Sequence, residues 1–205
     1  RSRMAFRPTL EKKEEKDRVR AALLRAALHL GALHGFASLG LREVAREAGI
    51  APTSYYRHFA DMEELGRTLV RELVSQVLRT IEEHALAAQR GALVASLVDT
   101  TLQAVADDPE LMRFLVAERL GAFAALRTLL RAELSSFASA LHTALSRGSP
   151  EAPPPLAAEL SVGILLEGCV QALDASAPHA GSVREALVWA LSRVLGTPAQ
   201  ERSHA

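Results

Sequence analysis

A chain of 205 residues, 49% apolar and 23% charged, has the make-up of a soluble globular protein with a core of its own. The single cysteine, Cys169, excludes a disulfide framework and a cysteine-based zinc site, and it suits a reducing interior. Net charge is zero but unevenly spread, with 12 Lys/Arg against 6 Asp/Glu in residues 1–60 and 12 against 18 in residues 61–205. All three lysines, Lys12, Lys13 and Lys16, lie in the first segment. A basic head on an acidic body points to a polyanion bound at one end. No signal peptide is visible and no apolar run approaches the roughly 20 residues of a membrane span, so a cytoplasmic protein without membrane insertion is expected.

Alanine and leucine dominate while β-branched and aromatic residues are scarce, which favours an all-α chain. Leu10 to Lys16 reads as charged and frayed. From Arg18 the apolar positions Val19, Leu23, Leu24, Ala27, Leu28 and Leu30 recur at helical spacing and predict a helix ending between Gly31 and Gly35. After a break at Ser38-Leu39-Gly40, residues 41–48 predict a short helix that buries Leu41, Val44, Ala45 and Ala48. Gly40 stands at its N-cap and Glu43 at the capping-box position. Gly49 suits the left-handed residue just past the helix, and Pro52 suits the first turn of the next. Two short helices joined by a tight glycine turn are the helix-turn-helix pattern, with the second helix expected over 52–59.

Asp61 is a strong N-cap for a long helix reaching about Ala88, with Glu63 and Glu64 favouring its macrodipole. Further helices are expected over 92–106, 109–120 (Asp108 as N-cap, Pro109 in the first turn), 122–145, 156–173 and 182–195. The proline-rich stretch 147–155 is the clear long loop. This gives about nine helices. An N-terminal DNA-binding domain would occupy residues 1–60, and a helical ligand-binding and dimerisation domain residues 61–205.

The chemistry concentrates in AGIAPTSYYRHF, residues 48–59, which holds both tyrosines of the chain. Tyr55 and Phe59 are four apart and share a face, so they can pack back on the first two helices. Thr53, Ser54, Arg57 and His58 cover the other side, with Tyr56 on the edge. Short hydroxyls reach base edges or phosphates, while Tyr, His and Arg donate to phosphate oxygens. The N-terminal residues of the second helix of such a motif enter the major groove.

The run from Phe36 to Leu65, FASLGLREVAREAGIAPTSYYRHFADMEEL, strongly resembles the DNA-binding domain of the TetR-family repressors. Their pattern is T-x-x-x-I-A-x-x-A-G-V-S-x-x-x-x-Y-x-H-F-x-x-K-x-x-L. Val44, Ala45, Ala48, Gly49, Ile50, Tyr56, His58, Phe59 and Leu65 match it. Residues 108–127, DPELMRFLVAERLGAFAALR, echo the branch that represses fatty-acid synthesis or desaturation and senses long-chain acyl-CoA. The resemblance implies a homodimer on a palindromic operator, with no cofactor other than a small-molecule effector. It implies phosphate contacts from Tyr56 and His58, base contacts from Thr53 and Ser54, and a backbone contact from Arg42. Tyr55 is core or an edge touching a thymine methyl. Two positions depart from the pattern. Ala51 replaces the usual Ser or Thr cap, at a cost of ~1 kcal/mol. Met62 replaces a phosphate-binding lysine, which leaves Lys12, Lys13, Lys16, Arg18 and Arg20 as the extra phosphate contacts.

In the body, Leu69, Leu73, Val77, Met112, Phe114, Phe123 and Phe137 are candidates to line a lipid tunnel, with core packing as the plainer role. Arg113 and Arg119 are candidates for an acyl-CoA's phosphates, with surface ion pairs as the alternative. The apolar helices 156–173 and 182–195 are expected to form the dimer interface through Leu160, Gly163, Ile164, Glu167, Val188, Trp189 and Leu191. Gly163 and Gly168 would permit close approach. Glu82-Glu83-His84 point in different directions on a helix and make no metal site. His29, His34, His142 and His179 are isolated, and no nucleophile motif or phosphate loop suggests an enzyme. The rival reading is a regulator of an efflux pump that senses a lipophilic drug; a helical enzyme or adaptor without DNA binding is more distant.

Overall fold

The structure is a computed structural model that describes residues 7–146, 152–174 and 180–196. Most of the 147–155 loop, and His179, lie outside the described residues. The described residues are helical, without strands: α1 (Arg7–His34), α2 (Leu41–Glu47), α3 (Pro52–Tyr55), α4 (Met62–Leu69), α5 (Ser75–Ala87), α6 (Leu93–Asp107), α7 (Pro109–Glu118), α8 (Ala124–Ser146), α9 (Pro155–Asp174) and α10 (Ala180–Val194). A π-helical stretch, Val70–Val74, joins α4 to α5, so the two are one long helix with a distortion in its middle. Counted that way there are nine helices, as the sequence leads one to expect.

Several local predictions hold for the reasons given. Gly49 adopts φ 70°. The Ile50 N–H bonds Ala45 O at 2.9 Å and the Gly49 N–H bonds Arg46 O at 3.0 Å, which is a Schellman ending for α2. Asp61 accepts the Glu64 N–H at 2.8 Å, and Glu64 reaches back to the Ala60 N–H at 2.6 Å. Asp108 caps α7 by accepting the Leu111 N–H at 3.0 Å.

Three expectations need correction. Residues 10–16 are helical rather than frayed, because α1 runs unbroken from Arg7. The expected eight-residue second helix of the motif is α-helical only over four residues. Beyond Tyr55 the chain tightens into three-residue turns, Arg57 N–H to Ser54 O and His58 N–H to Tyr55 O. Finally, α9 is 20 residues long with mean hydropathy 1.5, enough by length and composition for a membrane span. Its buried side, Ala158, Ser161, Val162, Leu165 and Cys169, packs among α6, α7, α8 and α10.

The small unit α1–α3 sits on the body through α1. Arg20, Arg25 and His29, at successive points along α1, each reach the body. Arg20 binds Glu72 of the π stretch with both guanidinium nitrogens, Arg25 meets Asp108 at 2.8 Å, and His29 Nδ1 lies 2.5 Å from Glu110. His29 is therefore paired, and its pKa is raised chiefly by that hydrogen bond. Arg20 also stacks over Phe59 at 5.5 Å. With both ends engaged, it is a joint between domains and not the free phosphate contact the sequence suggested.

Candidate DNA interface and effector cavity

Pro52 starts α3 without needing its missing N–H, and Ala51 caps it by backbone alone, the Ser54 N–H reaching Ala51 O at 2.8 Å. The segment divides as its spacing requires. Tyr55 and Phe59 are 0% and 2% exposed, whereas Tyr56 is 65% exposed. The Tyr55 hydroxyl donates to Asp61 O at 2.9 Å and lies 3.7 Å from Met62 Sδ. Tyr55 is thus a core residue and not a DNA contact, and Met62 packs against it where the family places a lysine. Burial pushes the Tyr55 hydroxyl well above the ordinary phenol range.

Thr53, Tyr56 and Arg57 are exposed on the outer side, with Ser54 and His58 half-buried. Ser54, Arg57 and His58 face Lys12 and Lys16 of α1 across a groove of about 520 Å³. Lys13 and Arg42 are exposed but do not line it. Arg18 is exposed and paired with Glu15 at 2.7 Å. The fold therefore brings the expected head lysines beside the recognition segment and adds Arg57, whose place in the groove its type alone did not single out. His58 is held below the ordinary imidazole pKa by partial burial, then by Lys16, Arg20 and Arg57. Its Nδ1 is enclosed without a partner among the described residues. A neutral imidazole among three cations suits an anion that arrives from outside.

Two cavities in the body, among the described residues, bear on effector binding. An uncharged void of about 20 Å³ lies between α5, α6, α7, α8 and α9, walled by Leu78, Ile81, Met112, Leu115, Leu134, Phe137 and Leu166 among others. Cys169 is also in its wall, its thiol pushed up to about 12 by burial. Beside it opens a cleft of about 700 Å³ with Leu73, Val77, Ile81 and Leu111 as floor and Gln76, Gln103, Asp99, Asp107 and Asp108 on its walls. Ile81 belongs to both, so a single side chain stands between cleft and void.

Of the tunnel candidates, Met112 and Phe137 line the void, and Leu73 and Val77 the cleft. Leu69, Phe114 and Phe123 instead fill the junction between domains, the last two edge-on to Phe36. Arg113 is exposed, 3.9 Å from Asp174, and the half-buried Arg119 lies off both cavities.

On α9 the expected interface residues Leu160, Gly163 and Glu167 are exposed with Ile164 partly so, and Trp189 on α10 is 62% exposed with Val188 beside it. Leu191 is 0% exposed and belongs to the protomer's own core. Gly168 is likewise internal, since a Cβ there would come within 2.5 Å of Leu187. Gly163 faces open space.

A tight glycine-turned pair of helices with hydroxyl, phenol and basic groups outside, joined to a helical body with an apolar interior, defines a helix-turn-helix DNA-binding regulator. Residues 23–68 match the family model of bacterial regulatory proteins of the tetR family. The match identifies residues 23–68 as a DNA-binding unit of the tetR type.

Solved structures share the fold. The fatty acid degradation regulator FadR of Bacillus halodurans is 20% identical with a TM-score of 0.69, over 82% of this chain and 94% of that one. The FadR of Bacillus subtilis in complex with stearoyl-CoA is 20% identical with a TM-score of 0.66, over 82% and 96%. The multidrug binding protein EbrR, complexed with imidazole, is 22% identical with a TM-score of 0.61, over 88% and 97%.

Proposed function

We propose that the chain acts in the bacterial cytoplasm as a homodimeric repressor of fatty-acid synthesis or desaturation genes, with a long-chain acyl-CoA as effector. The observation that carries the effector class is the void: five helices meet around a space with no charged wall, which suits an alkyl chain and little else. The similarity of fold to a regulator complexed with stearoyl-CoA supports the same choice. The nucleotide phosphates would then be met outside the void, at Arg113 on α7 and Arg119 just past its end. The exposed stripe Leu156, Leu160 and Gly163 with Trp189 supports pairing of two copies through α9 and α10. Lys12, Lys16, Arg57, Tyr56 and His58 would hold phosphates, and Thr53 and Ser54 would read bases.

Two recognition segments placed roughly 34–36 Å apart would enter successive major grooves. An effector that binds one domain arrangement more tightly than the other shifts the population, by no more than that difference in affinity.

One observation favours a second reading. The cleft beside the void carries Asp99, Asp107 and Asp108; Arg184 pairs Asp99 and Arg25 pairs Asp108, which leaves Asp107 as the carboxylate a cationic lipophile would meet, and such a ligand would belong to an efflux-pump regulator. A single experiment separates the readings. Gel shifts on the DNA upstream of its own gene are run across a salt series, with oleoyl-CoA, palmitoyl-CoA or a quaternary-ammonium lipophile added. A salt-sensitive specific complex that responds to the thioesters is expected. Response to the cation alone moves the effector to the second reading, and absence of any specific complex sinks the repressor.

A further inference from the structure

The junction between the two domains contains a buried carboxyl group that neither DNA contact nor effector binding uses. Glu118, the last residue of α7, is 3% exposed. Carboxylates are almost never that buried without a bound partner. Its Oε1 accepts the Phe36 N–H at 2.8 Å, while Oε2 is enclosed with no partner among the described residues. Phe36 opens the turn between α1 and α2, directly after Gly35, whose φ of 80° sets the direction in which the chain leaves α1. The ring of Phe36 is seated in the same place. It meets Phe114 edge-on at 6.3 Å and Phe123 at 5.3 Å, and a Cβ on Gly66 would come within 2.8 Å of it. The body thus grips one residue of the helix-turn-helix by its backbone and its side chain together.

The two grips differ in kind. Apolar packing holds the ring but is non-directional. A hydrogen bond to a carboxyl oxygen is directional and admits a narrow range of geometry. The other polar links from this part of the body to α1, Arg25–Asp108 and His29–Glu110, lie at the solvent edge, where such pairs contribute little. Glu118 is the buried one, and it rides on the helix whose Met112 and Leu115 wall the void. A ligand that enlarges the void on its α7 side displaces those side chains, and Glu118 is carried on the same helix.

We propose that Glu118 is a positioning residue for operator binding. Through the Phe36 N–H it fixes the orientation of the helix-turn-helix on the body, and it passes displacement of α7 to the recognition segment. This rests on the reading of the chain as an effector-responsive dimer on a palindromic operator.

The test compares four full-length proteins: wild type, Glu118→Gln, Glu118→Leu and Gly121→Ala. Glutamine keeps a carbonyl acceptor for the Phe36 N–H, and leucine removes it. Gly121→Ala leaves Glu118 in place but drives a methyl into its Oε2, and Gly121 has no positive φ that alanine would strain. Circular dichroism checks that each folds. The operator is selected from random duplex DNA with the wild type. A second probe carries one extra base pair between half-sites, moving one half-site by about 3.4 Å and about a tenth of a turn.

Wild type and Glu118→Gln lose affinity on the longer probe by about tenfold or more, whereas Glu118→Leu and Gly121→Ala lose less than about threefold, since a loosened junction lets each recognition segment find its half-site. Oleoyl-CoA gives the second readout: its fold-effect on operator affinity falls toward one in the Leu and Ala variants and persists in Glu118→Gln. An equal spacing penalty in all four proteins overturns the proposal, as does a folded Glu118→Leu with the wild-type effector response. If Glu118→Leu does not fold, Gly121→Ala decides by the same criteria. Failure of the wild type to select any operator overturns the functional reading and this proposal with it. Indifference of the wild type to oleoyl-CoA strikes the effector class alone and leaves the spacing penalty to decide.

Discussion

The groove beside the recognition segment and the void in the body are opposite solutions to binding. The groove is open, about 520 Å³, and lined by Lys12, Lys16, Arg57 and His58 with Glu15 as its one carboxylate. The void is apolar, uncharged and about 20 Å³, room for about one water and far too little for an alkyl chain. The first site is ready before its ligand arrives. On the proposed reading the second becomes a ligand site only when α5 to α9 shift. That difference is what a switch requires: a ligand that must rearrange the body to enter has, by construction, different affinities for the two arrangements.

The comparison breaks most visibly if the void is opened in advance. Phe137 is 6% exposed and part of the void wall. Phe137→Ala removes a ring that the packed surroundings cannot replace, and a loss of about 3–5 kcal/mol of stability is expected in thermal or urea unfolding. The same substitution makes room that the effector no longer has to create. Oleoyl-CoA should therefore raise the melting temperature of the variant by more than that of the wild type. A smaller shift in the variant would mean that the chain does not enter between these helices.

On the groove side the expected loss is in affinity and not in stability. Tyr56 is exposed, its ring edge-on to Tyr55 at 5.9 Å, so Tyr56→Phe keeps the packing and removes only the hydroxyl. Hydrogen bonds to charged groups are worth about 1.5–3 kcal/mol, which corresponds to roughly tenfold or more in operator affinity. Melting temperature should not move, and the weakening should be uniform across operator sequences, as for any phosphate contact. A change in sequence preference would place the hydroxyl on a base instead.

A smaller effect tests whether the groove is truly prepared for an anion. His58 has a lowered pKa because it is partly buried and faces Lys16, Arg20 and Arg57. A phosphate brought beside it favours the protonated ring, so the complex binds more protons than the free protein. Operator affinity should accordingly rise several-fold as pH falls from about 8 towards 6, through the usual imidazole range. Folding has the opposite sign. A histidine whose pKa is depressed by folding contributes stability above its unfolded value, and that contribution is lost as pH falls. Tighter binding at lower pH with slightly lower stability is thus the signature, and His58→Asn should flatten the first. An unchanged pH profile in His58→Asn would remove the ring from the phosphate.

The same contrast explains what could be read from the amino acids. In the DNA-binding unit, backbone geometry restricts the choice of residue: Gly49 at φ 70°, Pro52 at the first turn, Asp61 as cap. Spacing then sorted Tyr55 from Tyr56, although it could not decide whether Tyr55 touches DNA. The burial of its ring and its bond to Asp61 O decide that. In the body, helices were legible from periodicity, but a leucine on the wall of a void and one in solid core have the same periodicity. Leu69 and Phe114 look no different in sequence from Met112 and Phe137. The π stretch at Val70–Val74 was invisible for a related reason. Its lengthened turn is held by one tertiary partner, Arg20 of α1 on Glu72, and by one local bond, the Ser75 hydroxyl donating to Val70 O at 3.1 Å, neither of which apolar periodicity reveals.

The smallest expected effect concerns Ala51, which leaves α3 with no side-chain cap. Ala51 already has extended backbone, φ −65° and ψ 138°, as a cap residue does. A serine there can accept an N–H from the first turn without rearrangement, and the unfolding free energy should rise by about 0.5–1 kcal/mol. What happens to DNA affinity is the more telling measurement. If the N–H groups that open α3 are left free to meet a phosphate, the serine oxygen competes for one of them, and operator affinity falls slightly while stability rises. If Thr53 and Tyr56 do the work alone, affinity follows the better-ordered segment upward. Stability and affinity moving in opposite directions would show that the uncapped start of this four-residue helix is part of the interface itself.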